Sequence, residues 1–293
     1  MFRRVVVCLD GSRLAERVIP YARGLAESAK AKLKILRIVD DGEDFTGVSR
    51  YVETWSKSLR CEAEAVNLQH EVASTLLAEL WNNPDDLPAL TTRGHKGLME
   101  PMLGSTALGV VRKLGRPVFL FHPFSGEKPV ERFEIKSVIA ALDGSRYSEN
   151  ILPFAAELAK ALRLDLELVQ ALPDGRDLPR EIKNDVLEDA YLAPRAYHLK
   201  KDYGLNVRWD VLHGAAAKAI CSYVRGRQGA VLAMTTHARR PLEHALLGGV
   251  ASACVSRAGV PVLIDGSYAR ENLHELVIDE AAARADGKER RAL

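Results

Sequence analysis

The sequence predicts an α/β protein built of two doubly wound, parallel five-stranded sheets in tandem. Two observations carry this. The chain repeats itself once, and each copy alternates apolar strand-like runs with segments of helical period. Residues 6–41 align with residues 139–174 without a gap. Within them Leu9-Asp10-Gly11-Ser12-Arg13 recurs as Leu142-Asp143-Gly144-Ser145-Arg146, an offset of 133. Farther on, Thr91-Thr92 recurs as Thr235-Thr236 and Leu103-Gly104 as Leu247-Gly248, at an offset of 144. Both copies close alike, Gly115-Arg116-Pro117-Val118 against Gly259-Val260-Pro261-Val262. The change of offset gives the second copy eleven extra residues, after Gly175. A unit of this length is a duplicated domain, because solenoid repeats are a few tens of residues long. The predicted units are 1–124 and 135–266, with a polar linker at 123–134 and a charged tail at 267–293.

Residues 5–9 are a continuous apolar, mostly β-branched run, as expected of a strand buried on both faces. After the Asp-Gly-Ser turn, Leu14, Val18, Ile19, Ala22 and Leu25 recur at helical spacing, which predicts one helix over 14–30. A second strand follows at 33–39, then helical segments at 45–59 and 71–81 around a weak strand at 62–68. The second copy repeats the scheme with strands at 137–142, 166–172 and 207–212 and helices at 148–162, 181–202 and 216–224. Each copy closes with a strand, a glycine-containing loop, a helix and a last strand, at 118–121 and 262–264. Strand–helix–strand order implies parallel neighbours and right-handed crossovers. Pro88 stands inside the presumed fourth strand and removes a donor from an interior ladder.

Lys and Arg number 41 against 39 Asp and Glu, a formal charge of +2, so no basic excess points to nucleic acid. Cys8, Cys61, Cys221 and Cys254 form no CxxC pair, and the eight histidines show no metal-ligand spacing. The apolar run after Met1-Phe2-Arg3-Arg4 is too short for a signal peptide, and no stretch has the length of a membrane span. A reducing, cytoplasmic setting is the expectation, with no membrane partner.

The segment richest in chemistry is Thr91-Thr92-Arg93-Gly94-His95-Lys96-Gly97, followed after six further residues by Gly104-Ser105-Thr106. Amides at a helix N-terminus attract anions, glycine lets backbone approach a phosphate, and hydroxyls donate to its oxygens. Gly-Ser-Thr is also an ordinary helix start, with Ser105 or Thr106 as N-cap. Asp10 can cap the helix after the first strand or meet a ligand. The chain ends of parallel strands at a switch point share one crevice, so the first and fourth strands can line a pocket together.

On these motifs the chain resembles the universal stress protein family over nearly all of both copies. That resemblance implies a Rossmann-like fold, an Asp late in the first strand, and a Gly-x2-Gly-x9-Gly-Ser/Thr loop after the fourth. It implies ATP or AMP as ligand, with Mg or Mn as an optional companion, and pairing through the last strand. Asp10 matches the first-strand Asp, and Gly94, Gly104 and Ser105 match the loop. Ile38 falls where adenine is usually packed, and Cys8, Ser12, Thr91, Arg93, Gly97 and Thr106 complete the expected pocket. Thr91 replaces the family's usual first Gly. In the second copy Asp143 and Gly248 remain, but Thr235, Ala238 and Gly249 replace the two other glycines and the Ser.

The expected function is therefore a nucleotide-binding stress-response regulator, with nucleotide held mainly in the N-terminal unit. Its partners would be the nucleotide and its own second unit in a pseudo-dimer, with a homodimer as an extension. The alternatives are an interaction scaffold with empty pockets and, on a related fold, a nucleotide-activating enzyme. The enzyme reading lacks its signatures: Leu-Asp-Gly-Ser stands where Ser-Gly-Gly-x-Asp-Ser or His-x-Gly-His would be needed. No catalytic residue is assigned.

Overall fold

The computed structural model describes residues 1–69, 71–92, 103–124, 130–173, 189–236 and 247–266. The first half contains β1 Arg4–Leu9, α1 Arg13–Glu16, α2 Ile19–Ala29, β2 Lys32–Val39, α3 Phe45–Leu59, β3 Glu62–Asn67, α4 Val72–Asn82, β4 Asp86–Thr91, α5 Ser105–Leu114 and β5 Val118–Phe121. The second contains β6 Ser137–Leu142, α6 Arg146–Glu149, α7 Leu152–Leu162, β7 Leu166–Leu172, α8 Leu192–Tyr203, β8 Val207–His213, α9 Ala216–Arg225, β9 Ala230–Thr235, α10 Gly249–Arg257 and β10 Val262–Asp265.

The strands form a single sheet in the order β3-β2-β1-β4-β5-β10-β9-β6-β7-β8. Each half contributes five parallel strands, as the alternating pattern predicts. The halves join through antiparallel pairing of β5 with β10: Val118 faces Ile264, Phe119 faces Leu263 and Leu120 faces Val262. Phe119 and Leu263 are equivalent residues of the repeat, so the join has pseudo-two-fold symmetry about their pair. Both strands are buried throughout. One apolar cluster, with Val5, Val7, Leu25 and Leu158, covers one face of the sheet across the join. Another, with Val6, Leu36, Val110 and Val255, covers the other face. The outer strands β3 and β8 are half exposed and carry Glu62, Glu64, Arg208 and Asp210. Charged side chains on edges discourage further strand addition.

At the amino ends of the strands, Arg4 donates from Nε to Asp86 at 2.9 Å and from a terminal nitrogen to the other Asp86 oxygen at 2.9 Å. The same guanidinium reaches Glu62 at 2.9 Å. This bidentate geometry ties β1 to β4 and β3 at the end opposite the crevice, and Asp86 is 7% exposed.

Three expectations need correction, and one is met. The helix expected over 14–30 is two helices, α1 and α2, and that over 148–162 is α6 and α7. Pro20 and Pro153 stand in the first turn of the second member of each pair. A proline there cannot donate to the preceding turn, so the helix restarts instead of continuing. Of the helix expected over 181–202, 192–202 is helical as part of Leu192–Tyr203, 189–191 form a turn, and 181–188 lie outside the described residues. The linker is not merely polar. Phe133 packs on Tyr21 at 4.7 Å between ring centroids, and Tyr21 stacks on Phe121 at 4.0 Å. Finally, Pro88 does sit in an interior strand, and the duplicated half shows what it removes. Leu232, its equivalent, donates its N–H to the carbonyl of Pro261 at 3.0 Å and pairs with Val262. Pro88 has no such hydrogen, and the β4·β5 ladder starts one residue later, at Ala89 with Phe119.

The predicted tail, 267–293, lies outside the described residues.

Two predictions follow from this packing. Residues 1–124 expressed alone expose β5, whose four apolar residues each contribute about 1.5–3 kcal/mol on burial. That fragment is expected to dimerise through β5 or to aggregate, as read by light scattering after gel filtration; a stable monomer counts against the seam's importance. At Gly24 an added Cβ would lie 2.0 Å from the Phe133 carbonyl oxygen. Gly24→Ala in the full chain should therefore destabilise by about 1–3 kcal/mol through overpacking. Denaturant unfolding measures it, and an unchanged midpoint would show that the linker yields.

Candidate functional site

The order β2-β1-β4 makes the β1/β4 boundary a switch point: the chain leaves β1 toward β2 on one side and returns as β4 on the other. The carboxyl ends of β1, β2 and β4 meet there. Gly11 turns the chain out of β1 with φ +81°, a backbone state that favours glycine. Asp10 accepts from the Ser12 amide at 2.9 Å, and the Ser12 hydroxyl accepts from the Ala15 amide at 3.1 Å. Ser12 is thus the N-cap of α1, and Asp10 shapes the turn before it. The second half repeats this with Asp143 accepting from the Ser145 amide at 3.0 Å.

Opposite this turn, β4 ends at Thr91, which is 8% exposed. Thr92 donates its amide to the Phe121 carbonyl at 3.0 Å, and its hydroxyl lies 2.6 Å from Nδ1 of His122. The Gly104 amide donates to the Thr92 carbonyl at 2.8 Å, which closes the base of the intervening loop. The second half closes its loop identically, Gly248 to Thr236 at 2.8 Å. Gly104 is the N-cap of α5 and offers no side-chain hydrogen bond to the helix. Neither Ser105 nor Thr106 caps it; both are helical, and Ser105 is exposed. A first turn with no side-chain cap keeps backbone amides directed out of the helix, the arrangement suited to anions.

The apolar wall comes from the face of the sheet under α4 and α5. Ile38 is 7% exposed within that cluster, and Cys8, Leu68, Val72 and Leu103 pack against it. The Cys8 thiol donates to the Val6 carbonyl at 3.6 Å, and burial raises its pKa to about 12. Of the expected site residues, the structure brings Cys8, Asp10, Ser12, Ile38, Thr91, Gly104, Ser105 and Thr106 to the carboxyl ends of neighbouring strands and the start of α5. Arg93, Gly94 and Gly97 lie outside the described residues. Among the described residues no group of three or more His, Cys, Asp or Glu is placed to hold a metal ion. No helix among them is long and apolar enough to cross a membrane.

Arg37 was not foreseen. It is 9% exposed at the end of β2, paired with Glu43, with its guanidinium carbon 5.2 Å from the Tyr51 ring centroid. A Cβ on Gly11 would lie 2.9 Å from that guanidinium, so Arg37 buttresses the Asp10-Gly11-Ser12 turn from the face opposite Ile38. Its Nε has no partner among the described residues. The signal in the sequence was a charge inside the apolar run 33–39. In the second half Gln170 stands in its place, with Nε2 3.3 Å from a Cβ built on Gly144.

The second half also has an open pocket of about 330 Å³ lined by Ala171, Pro173, Gly214, Ala215 and Ala216. Ala171 is the equivalent of Ile38, and Ala216 that of Val72. Smaller side chains at both positions leave this space.

Fold and crevices together define a tandem doubly wound α/β protein with a switch-point crevice in each half. The chain belongs to the universal stress protein family, whose sequence model matches residues 1–85 and 134–286. It is similar to universal stress protein Slr1230 of Synechocystis sp., 22% identical over 304 residues, covering 89% of this chain and 99% of that protein. Universal stress protein Rv2005c of Mycobacterium tuberculosis is 24% identical over 286 residues, covering 89% and 96%. Among solved structures, a universal stress protein from Archaeoglobus fulgidus superposes with a TM-score of 0.63 at 16% identity, covering 90% of this chain and 98% of its own. A protein of Pseudomonas aeruginosa gives 0.66 at 16% identity, covering 95% and 98%. These two likenesses establish the fold.

A thiol with a pKa near 12 is about one part in ten thousand thiolate at pH 8, and the thiolate is the reactive form. Native protein treated with iodoacetamide at pH 8 should therefore leave Cys8 unmodified, and denaturation should expose it. Peptide mass mapping reads this; rapid native labelling of Cys8 would contradict its raised pKa.

Proposed function

We propose that this protein is a nucleotide-binding regulator that holds ATP or AMP in the crevice of its first half and performs no catalysis of its own. What carries the reading is one juxtaposition: the start of α5, with no side-chain cap, beside the Asp10-Gly11-Ser12 turn at the β1/β4 switch point. Phosphate would lie against the Gly104, Ser105 and Thr106 end of α5 with Arg93, Gly94 and Gly97 supplied by the loop. The base would pack on Ile38 and Cys8, with Thr91 beneath the loop. Mg or Mn would accompany the phosphates, held by them as much as by the protein. Units 1–124 and 135–266 act as the two members of an intramolecular pseudo-dimer, with 267–293 as an appendage and the cytoplasm as setting.

The first half has the better phosphate chemistry and the second the roomier base site. Ser105 is replaced by Gly249, and Gly94 by Ala238. Loss of a hydrogen bond to a charged group weakens binding by about 1.5–3 kcal/mol, or about ten- to a hundredfold. The pocket beside Ala171 favours a second reading, in which the second half takes a base without tight phosphate contacts. Its volume is at the low end of the range for ligand pockets, about 300–1,000 Å³.

Titration calorimetry with ATP and Mg separates these readings. The unaltered chain should bind with a stoichiometry near one, and Gly94→Ala with Ser105→Gly should weaken binding at least about tenfold. A Cβ on Gly249 meets nothing within 4 Å, so Gly249→Ser with Ala238→Gly can be accommodated there and should add a second, weaker site. A stoichiometry of two in the unaltered chain, or undiminished binding after the first pair of changes, rejects the asymmetry. No nucleotide bound, and none released on denaturing the purified protein, rejects the function in favour of a scaffold.

A further inference from the structure

Two cysteines of the second half have no role in the crevice. Cys221 is the sixth residue of α9 and Cys254 the sixth of α10, so both lie about one and a half turns from helix starts that border the second crevice. Their equivalents in the first half are Leu77 and Val110, 2% and 0% exposed, in the apolar layer between α4 and α5. The second half has exchanged this aliphatic contact for two thiols. Cys221 is 6% exposed and Cys254 0%. The Cys221 sulfur lies 4.0 Å from the carbonyl oxygen of Ala253, the residue before Cys254. Interaction with the neighbouring Cys254 thiol lowers the Cys221 pKa, and the same interaction raises that of Cys254. Burial opposes the first shift, and the positive charges of Arg225 and Arg257 assist it. Farther along, the Arg225 guanidinium donates to the Arg257 carbonyl and clasps the two helices at their carboxyl ends.

We propose that Cys221 and Cys254 are a peroxide-sensitive pair that closes to a disulfide between α9 and α10, the two helices flanking the second crevice. The oxidant is a hydroperoxide. The Cys221 thiolate attacks one peroxide oxygen, the O–O bond breaks, and a Cys221 sulfenic acid forms as hydroxide or alkoxide leaves. Cys254 then attacks the Cys221 sulfur. The S–S bond forms, the S–O bond breaks, and the sulfenic oxygen leaves as water with the Cys254 proton. With hydrogen peroxide, two thiols lose two electrons and one peroxide becomes two waters. The lowered pKa of Cys221 and its neighbouring thiol fit the roles of attacking and resolving cysteine.

The test uses the full chain. Native protein is treated with hydrogen peroxide, denatured in N-ethylmaleimide, digested and mapped by mass. The expected product is a peptide cross-linked between Cys221 and Cys254, two hydrogens lighter than the separate peptides and resolved by dithiothreitol. In Cys254→Ser, which keeps a hydrogen-bond donor beside Cys221 but has no sulfur to resolve it, peroxide should leave Cys221 as a sulfenic acid that takes up dimedone, whereas the unaltered chain should not label. Recovery of both cysteines as maleimide adducts, a cross-link through Cys8 or Cys61 instead, or no dimedone on the variant would each overturn the proposal.

Discussion

The structure depends on the antiparallel contact between β5 and β10. Each is a four-residue strand with no exposed residue, and each would be an open apolar edge without the other. Their pairing turns two sheets into one and lets both apolar layers run across the join. Neighbouring contacts reinforce it. Phe2 stacks near Phe154 at 6.2 Å, and the amino terminus pairs with Glu157 at 3.3 Å. The second pair is half exposed, so its worth is small beside the buried strands. The join is apolar first and ionic only at its margin.

Duplication made that contact self-complementary, and the halves have since diverged where the join does not constrain them. Pro88 against Leu232 changes one rung of a ladder. Ile38 against Ala171 and Val72 against Ala216 change the space at the carboxyl ends of β2 and β7. Ser105 against Gly249 changes a hydroxyl at the start of a helix. The backbone framework is unaffected: the Asp turn is bonded alike in both halves, and Gly104 and Gly248 close their loops at the same 2.8 Å. Geometry conserved by backbone bonds and chemistry varied by side chains is how one fold supports two differing crevices.

Much of this was legible in the sequence because the signals were periodic and doubled. The strands at 118–121, 137–142 and 166–172 and the helix at 45–59 match the observed elements residue for residue. The helix breaks at Arg17–Val18 and Asn150–Ile151 were not foreseen, since apolar spacing continues through them and only a proline in the following turn marks the restart. Arg37 was invisible for a different reason. Its burial depends on Gly11 and Tyr51, neighbours in space that no window around residue 37 contains. The same holds for His122, whose partner Thr92 is thirty residues away. The family resemblance pointed to the ends of β1 and β4, but only contacts between distant segments reveal which side chains support them.

The join also fixes how the crevices relate to each other. Strands are parallel within each half, and β5 and β10 run in opposite directions, so the carboxyl ends of the two halves lie at opposite ends of the sheet. One ligand therefore cannot span both crevices, and any influence of one on the other must pass through the protein between them. A direct physical contact exists for it. Gly266, just past β10, is so close to α5 that a Cβ there would lie 2.1 Å from the Val111 carbonyl oxygen. The helix whose start borders the first crevice is thus packed against the end of the second half's last strand. Close packing there couples α5 to the end of β10, because such contacts do not absorb a displacement by compression.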